Sequence, residues 1–274
     1  MRISRTVFAV SLLGLGWAGL APAQALDPSL SGVTGAGVTG KSSREIFSLG
    51  YGAYQRGEKE EAFDTLNLAA DRGHAGARWK LGQMYATGDG VAENDYEAFK
   101  MFERIVRDQD EDGAFSPNRA YIASAVVALA EYIREGIPGS PIVADPVQAR
   151  QLFSQAASYY GEPHAQFELG RMLLRGEGGS ADPRQAARWL QLAARKGHVK
   201  AQALLGYLLF DGTSIQVRPE PVKGLAMLTR ALRDATPAER EWIRPLQEEA
   251  FSLSSEDQRR TALASAERVP AAVQ

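Results

Sequence analysis

The residues that could do chemistry in this 274-residue chain are few. It has no cysteine, which excludes disulfides, thiolate metal sites and cysteine nucleophiles. Of its three histidines, His74 and His198 each stand three residues before an alanine, Ala77 or Ala201. The third, His164, stands two residues after Glu162. An unperturbed histidine titrates near pH ~6.5, so His74 and His198 are candidate pH-responsive groups as well as packing or capping residues. The segment Asp108-Gln109-Asp110-Glu111-Asp112-Gly113 matches the first half of a calcium loop. Its closing position is Arg119, however, and a cation there repels the ion. A solvated acidic loop is expected, with no metal and no cofactor. Gly88-Asp89-Gly90 and Gly176-Glu177-Gly178-Gly179 lack the Lys-Ser/Thr of a phosphate loop. Neither a Gly-x-Ser-x-Gly elbow nor His-Glu-x-x-His occurs, and the chain is not read as an enzyme.

Composition narrows the partners. Thirty-one basic and 33 acidic side chains give a net charge of −2, which leaves no electrostatic footprint for nucleic acid. Arg2 and Arg5 precede a largely apolar run, Thr6 to Leu20, shorter than the ~20 residues of a membrane-spanning helix. The run ends in Ala21-Pro22-Ala23-Gln24-Ala25, which reads as a secretory signal peptide cut after Ala25 or Ala23. The expected product is an exported, periplasmic protein that does not span the membrane. Residues 26–43 form a Gly-, Ser- and Thr-rich leader. A repeat domain with a C-terminal capping helix is expected over 44–251, then a helix or tail over 252–274.

Internal repetition must position the candidate residues. Leu-Gly recurs at Leu49-Gly50, Leu81-Gly82, Leu169-Gly170 and Leu205-Gly206, with Leu129-Ala130 in the middle gap. Ala-Ala follows at Ala69-Ala70, Ala156-Ala157 and Ala193-Ala194. About five units result, each with two helical patterns around a turn, and strand signals are absent. Small residues at fixed places let paired helices approach closely. Asp95, Asp145 and Asp182 stand where they could cap second helices, with Pro146 and Pro183 suited to a first turn. His74, Glu162 and His198 share one repeat position. The fold expected is all-α, an α-solenoid of helix pairs.

Such a solenoid presents its first helices along a concave face, where partners bind. Two places per unit should point there: Phe47 and Tyr51, Trp79 and Gln83, Val127 and Glu131, Phe167 and Arg171, Ala203 and Tyr207. Phe47, Trp79 and Phe167 could equally fill the interhelical core. Tyr51, Gln83, Glu131, Arg171 and Tyr207 suit a groove through their polar reach.

Two segments, Arg72 to Phe102 and Pro163 to His198, resemble Sel1-like repeats. GIPGSP at Gly136 to Pro141, QARQLF at Gln148 to Phe153 and AFSLSSEDQRR at Ala250 to Arg260 lie outside that consensus. With the signal peptide, they resemble the ExoR family of periplasmic negative regulators of exopolysaccharide production. The resemblance implies a partner, the periplasmic sensor domain of a membrane sensor histidine kinase in a two-component system. It also implies release by a periplasmic protease and by acid. The alternative is a Sel1-repeat adaptor organising envelope or cell-wall protein complexes.

Overall fold

The structure is a computed structural model that describes residues 40–108 and 117–268. The signal peptide, the leader up to residue 39 and most of the acidic loop lie outside the described residues. The described chain is helical without strands, in the order α1 (Ser43–Gln55), α2 (Lys59–Asp71), α3 (Ala75–Thr87), α4 (Asp95–Arg107), α5 (Arg119–Glu135) and α6 (Pro146–Gln155). After these come α7 (Pro163–Arg175), α8 (Pro183–Arg195), α9 (Val199–Asp211), α10 (Pro221–Asp234), α11 (Pro237–Leu253) and α12 (Glu256–Arg268). The helix-pair solenoid expected from the repeats is present, and α11 with α12 adds a pair beyond the five units. None of these helices is long and apolar enough to cross a membrane.

The chain divides within α5 into two compact units, the first ending at Ala128 and the second starting at Leu129. In the first, Ala77, Leu81 and Met84 of α3 bury against Ile46, Leu66, Ala69 and Ala70 of the preceding pair. In the second, Ala201, Leu205 and Leu208 of α9 repeat that packing on Phe167, Leu190 and Ala193. Ile243 of α11 does the same against Ala203, Leu225 and Leu228. These stripes recur at helical spacing because each pair can bury its apolar face only on its neighbour.

The glycine of each Leu-Gly pair faces the second helix of its own unit. A Cβ on Gly82 would stand 2.5 Å from the Phe102 ring, and one on Gly170 would stand 2.9 Å from Leu190. In α9 and α10 the approach is closer still, with Gly206 and Gly224 facing each other backbone to backbone.

The joints before α3, α7 and α9 follow one hydrogen-bonding scheme. Every α-helix leaves unsatisfied N–H groups at its start and carbonyls at its end. Here one end serves the other. The backbone N–H of His74 donates to the Ala69 carbonyl at 3.0 Å, and that of His198 donates to Ala193 at 3.1 Å. The second alanine carbonyl of each pair accepts from a side chain on the next helix. Arg78 donates to Ala70, Gln166 to Ala157 and Gln202 to Ala194, each at 3.1 Å. Gly73 and Gly197 make the turn with φ of +83° and +85°, which a Cβ would oppose. Between Ala156 and Glu162 there is one residue more, and a π-helical turn over Ala156–Tyr160 absorbs it. The Glu162 N–H still reaches the Ala156 carbonyl at 3.1 Å.

Caps complete the joints. His74, Glu162 and His198 accept the N–H of Ala77, Ala165 and Ala201 at the starts of α3, α7 and α9. Among second helices, Asp145 and Asp182 cap α6 and α8, each followed by proline in the first turn. For α4 the cap is Asn94 rather than the expected Asp95, because the side chain one residue earlier reaches the N–H groups of Tyr96 and Glu97.

Replacing a helical glycine by alanine ordinarily stabilises a helix by about 1 kcal/mol. At Gly224 the new Cβ would lie 2.5 Å from the Gly206 carbonyl oxygen. Gly224→Ala should therefore destabilise by about 1–3 kcal/mol in urea unfolding, the sign reversed by overpacking. A neutral or stabilising effect would refute the close approach of α9 and α10.

Candidate functional site

In the second unit, one chain of titratable groups runs through three successive first helices. The end of α5 supplies Glu131 and Arg134, α7 supplies His164, Glu168 and Arg171, and His198 stands at the start of α9. His164 Nε2 lies 2.8 Å from Glu131 Oε1, and His164 Nδ1 lies 3.3 Å from His198 Nε2. His198 Nδ1 accepts the Ala201 N–H at 3.1 Å as the cap of α9. Below this row, Arg134 and Arg171 hold the buried Glu168 carboxylate at 2.7 and 2.9 Å. The Phe167 ring stacks on His198 at 4.7 Å, and Trp242 of α11 meets Phe167 edge-on at 6.3 Å.

The hydrogen bonds dictate the protons. A cap that accepts through Nδ1 requires neutral His198 to carry its proton on Nε2. That N–H donates to His164 Nδ1, so His164 carries its own proton on Nε2 and donates to Glu131. Burial pushes His198 down to about 3, with the nearby His164 adding to the shift. Burial also opposes charge on His164. The hydrogen bond and charge of Glu131, with Glu168 and Glu162, outweigh it and hold His164 above the ordinary histidine value. Burial raises Glu131 against the pull of His164. Both shifts favour an added proton on the Glu131–His164 pair. A second proton on His164 would turn Nδ1 from acceptor to donor, facing the His198 N–H. The α9 cap and a charged His164 therefore compete for one hydrogen-bonding arrangement.

The first unit contains half of this device. His74 caps α3, and its ring stacks on Phe47 at 4.3 Å, as His198 does on Phe167. The place of His164 is held by Arg44, whose charge adds to burial in lowering His74. Alongside, the Tyr54 ring has Lys59 Nζ at 3.3 Å and Lys80 Nζ at 3.4 Å from its centroid. Its hydroxyl bonds Asp89.

Several residues read as groove-facing are placed otherwise. Trp79 and Phe167 are core, 5% and 2% exposed, because Phe102 and the His198 ring cover them. Glu131 does not reach outward but inward to His164, and Arg171 spends its guanidinium on Glu168. Gln83 is half-buried, Tyr51 is exposed, and the Tyr207 hydroxyl donates to Glu249 of α11 at 3.0 Å. Sequence reasoning assigned no role to His164, Glu168, Arg134 or Trp242. Spacing held a signal for His164, which lies 33 residues after Glu131 and 34 before His198, one repeat length each way. Asp108, the first residue of the calcium-like string, has its carboxylate held by Arg78 at 2.7 Å.

The Sel1 repeat family model matches residues 75–107, 123–158, 163–198 and 199–234. Two proteins named exopolysaccharide production negative regulator are each 44% identical to the chain. The one from Rhizobium meliloti (strain 1021) aligns over 92% of this chain and 89% of its own length. The other, from Rhizobium leguminosarum bv. viciae, aligns over 80% and 79%. Among solved structures, c5321, a protective antigen of uropathogenic Escherichia coli strains, superposes with a TM-score of 0.66 at 24% identity. The alignment covers 83% of this chain but 45% of that longer protein. A Sel1 repeat protein from Oxalobacter formigenes gives 0.60 at 23% identity, covering 83% of this chain and 88% of its own. At these identities the two structures bear on the fold alone. The stacked helix pairs and the shared length with both rhizobial regulators lead to one assignment: this chain belongs to the Sel1-repeat family of exopolysaccharide production negative regulators.

Proposed function

We propose that this regulatory repeat protein is exported to the periplasm, with its signal peptide cut after Ala25 or Ala23. There it holds a membrane sensor histidine kinase inactive through the kinase's sensor domain, repressing exopolysaccharide production. Acid and a periplasmic protease release it. The observation that carries the acid arm is the partly buried Glu131–His164–His198 chain at the head of α9.

Its signs can be worked out. His198 has a folded pKa of about 3, below the unfolded value near ~6.5. Its contribution to stability is complete above pH ~6.5 and is lost as pH falls from there toward 3. His74, also lowered, acts with the same sign. His164 is raised, so its own contribution is present below pH ~6.5 and lost as pH rises through its folded value. Acid thus charges His164 first, and the consequence falls on His198. Its ring must either abandon His164 or shift its proton and release the α9 cap. An uncapped first turn is where a protease would find opened backbone.

For binding, Tyr51 and Gln83 in the first unit and Tyr207 and Trp242 in the second offer aromatic and amide groups on first helices. Exposed tyrosine and tryptophan are typical hot-spot types.

Two measurements test the reading. Asparagine is a good cap without a titrating ring, so His198→Asn should keep stability at pH 7 within about 1–2 kcal/mol. It should also move the acid-unfolding midpoint to lower pH; an unchanged midpoint would remove His198 from the acid response. For the partner, the immobilised sensor domain should capture the mature protein at pH 7. Tyr51→Ala combined with Gln83→Ala should weaken capture roughly tenfold with a nearly constant Tm. Full-strength capture of that double variant places the binding surface elsewhere, and no capture of the parent protein overturns the kinase assignment.

A further inference from the structure

Second helices carry their exposed residues at places that recur from unit to unit. In α2 the exposed stripe is Glu60, Asp64, Leu68 and Asp71. In α8 the same four places, counted from the Ala-Ala pair, hold Arg184, Arg188, Leu192 and Arg195. The charges of one stripe are all acidic and those of the other all basic. Each surrounds a leucine, 37% exposed in α2 and 40% in α8. At the leucine's place α4, α6 and α10 have Arg104, Gln155 and Arg230. The stripe of α4 is also basic, but its Lys100, Arg104 and Arg107 are matched by Glu97, Asp71 and Glu103. Arg184, Arg188 and Arg195 have no such acid among the described residues, and neither Glu60 nor Asp64 has a base. Asp71 meets Arg104 at 3.4 Å while its side chain stays 71% exposed.

The uniform signs work against each helix on its own. Like charges at i, i+4 repel, as for Glu60 with Asp64 and Arg184 with Arg188. The helix dipole disfavours Asp71 in the last turn of α2 and Arg184 in the first turn of α8. A surface of opposite sign with an apolar residue at its centre offsets both effects, and this chain carries one for each stripe. We propose that the chain self-associates, α2 of one copy lying against α8 of another, with acids opposite arginines and Leu68 against Leu192. Unlike surfaces meet, so a closed pair makes the contact twice, while an open series makes it once at each junction. A single helix-on-helix contact lies at the small end of interfaces, below ~1,200 Å², so the association is weak and salt-sensitive. Both stripes lie on second helices, and self-association uses none of the first-helix residues proposed to bind the sensor domain.

Analytical ultracentrifugation of the chain begun at Leu26 tests this. The parent should associate with rising concentration, and raising salt from ~50 to ~500 mM should weaken association roughly tenfold. One stripe can be reversed by Glu60→Arg, Asp64→Arg and Asp71→Arg, the other by Arg184→Glu, Arg188→Glu and Arg195→Glu. Either reversal should weaken association roughly 100-fold. Each reversed chain then has two stripes of one sign, and an equimolar mixture of the two should associate again. Leu68→Ser, which changes no charge, should weaken the parent roughly tenfold at constant Tm. A parent still monomeric at ~1 mM would overturn the proposal and leave the stripes to other partners. Association untouched by salt and by Leu68→Ser would overturn it as well, as would two reversal variants that keep the parent's Tm yet stay apart when mixed.

Discussion

The structure depends on one constraint: where two helix pairs meet, the orphan carbonyls of one helix and the orphan N–H groups of the next are brought to the same place. Buried and unpaired, such groups would each cost about 1–3 kcal/mol. The joint pairs them with one another. Ala69 and Ala193 take the cap residue's N–H, Ala70 and Ala194 take a side chain from the following helix, and a glycine at positive φ lets the chain turn back. Alanine is suited to the pair because a larger side chain would separate the helices whose ends must touch. The same requirement explains the π turn before Glu162, where one extra residue is wound in rather than allowed to shift the joint.

Placing histidine at the cap couples this joint to protons. Serine, aspartate or glutamate could accept the same N–H, and Glu162 does so for α7. Histidine accepts only while one ring nitrogen is bare. The aromatic stack on Phe47 or Phe167 fixes the ring plane, and burial makes the charged form unfavourable. In the second unit the other nitrogen is also committed, to His164 and through it to Glu131. The first unit, with Arg44 in place of His164, has the cap without the relay.

Much of this was legible in the sequence, and the limit has a physical form. Regular spacing revealed the Leu-Gly and Ala-Ala pairs, the solenoid, and the common position of His74, Glu162 and His198, because each recurs by repeat length. Contacts unique to one joint do not recur. Glu131 was singled out by its place beside Leu129-Ala130, but its direction is set by a histidine a full repeat away. Trp79 and Phe167 share the groove-facing position, yet the rings of Phe102 and His198 enclose them, which depends on side-chain volumes in the paired helix and in the next unit. Asn94 displaced Asp95 as a cap by a single residue, a difference that depends on backbone geometry rather than residue type.

A stack of repeats also determines how far a local event spreads. Each pair packs mainly on its neighbours, with the Trp242–Phe167 contact reaching across one pair, so stability is close to a sum of unit and interface terms. Loss of the α9 cap therefore weakens one interface, that between the α7–α8 and α9–α10 pairs, instead of the whole chain at once. In a cooperative globule the same loss would be spread over every residue and would expose little until global unfolding. Here it lowers the free energy of one opening, and proteolysis follows the population of the open form when opening is fast compared with cleavage. On the proposed reading, a regulator removed by a protease on an acid signal would benefit from that arrangement, because the titrating group sits at a joint and the joint is a helix start.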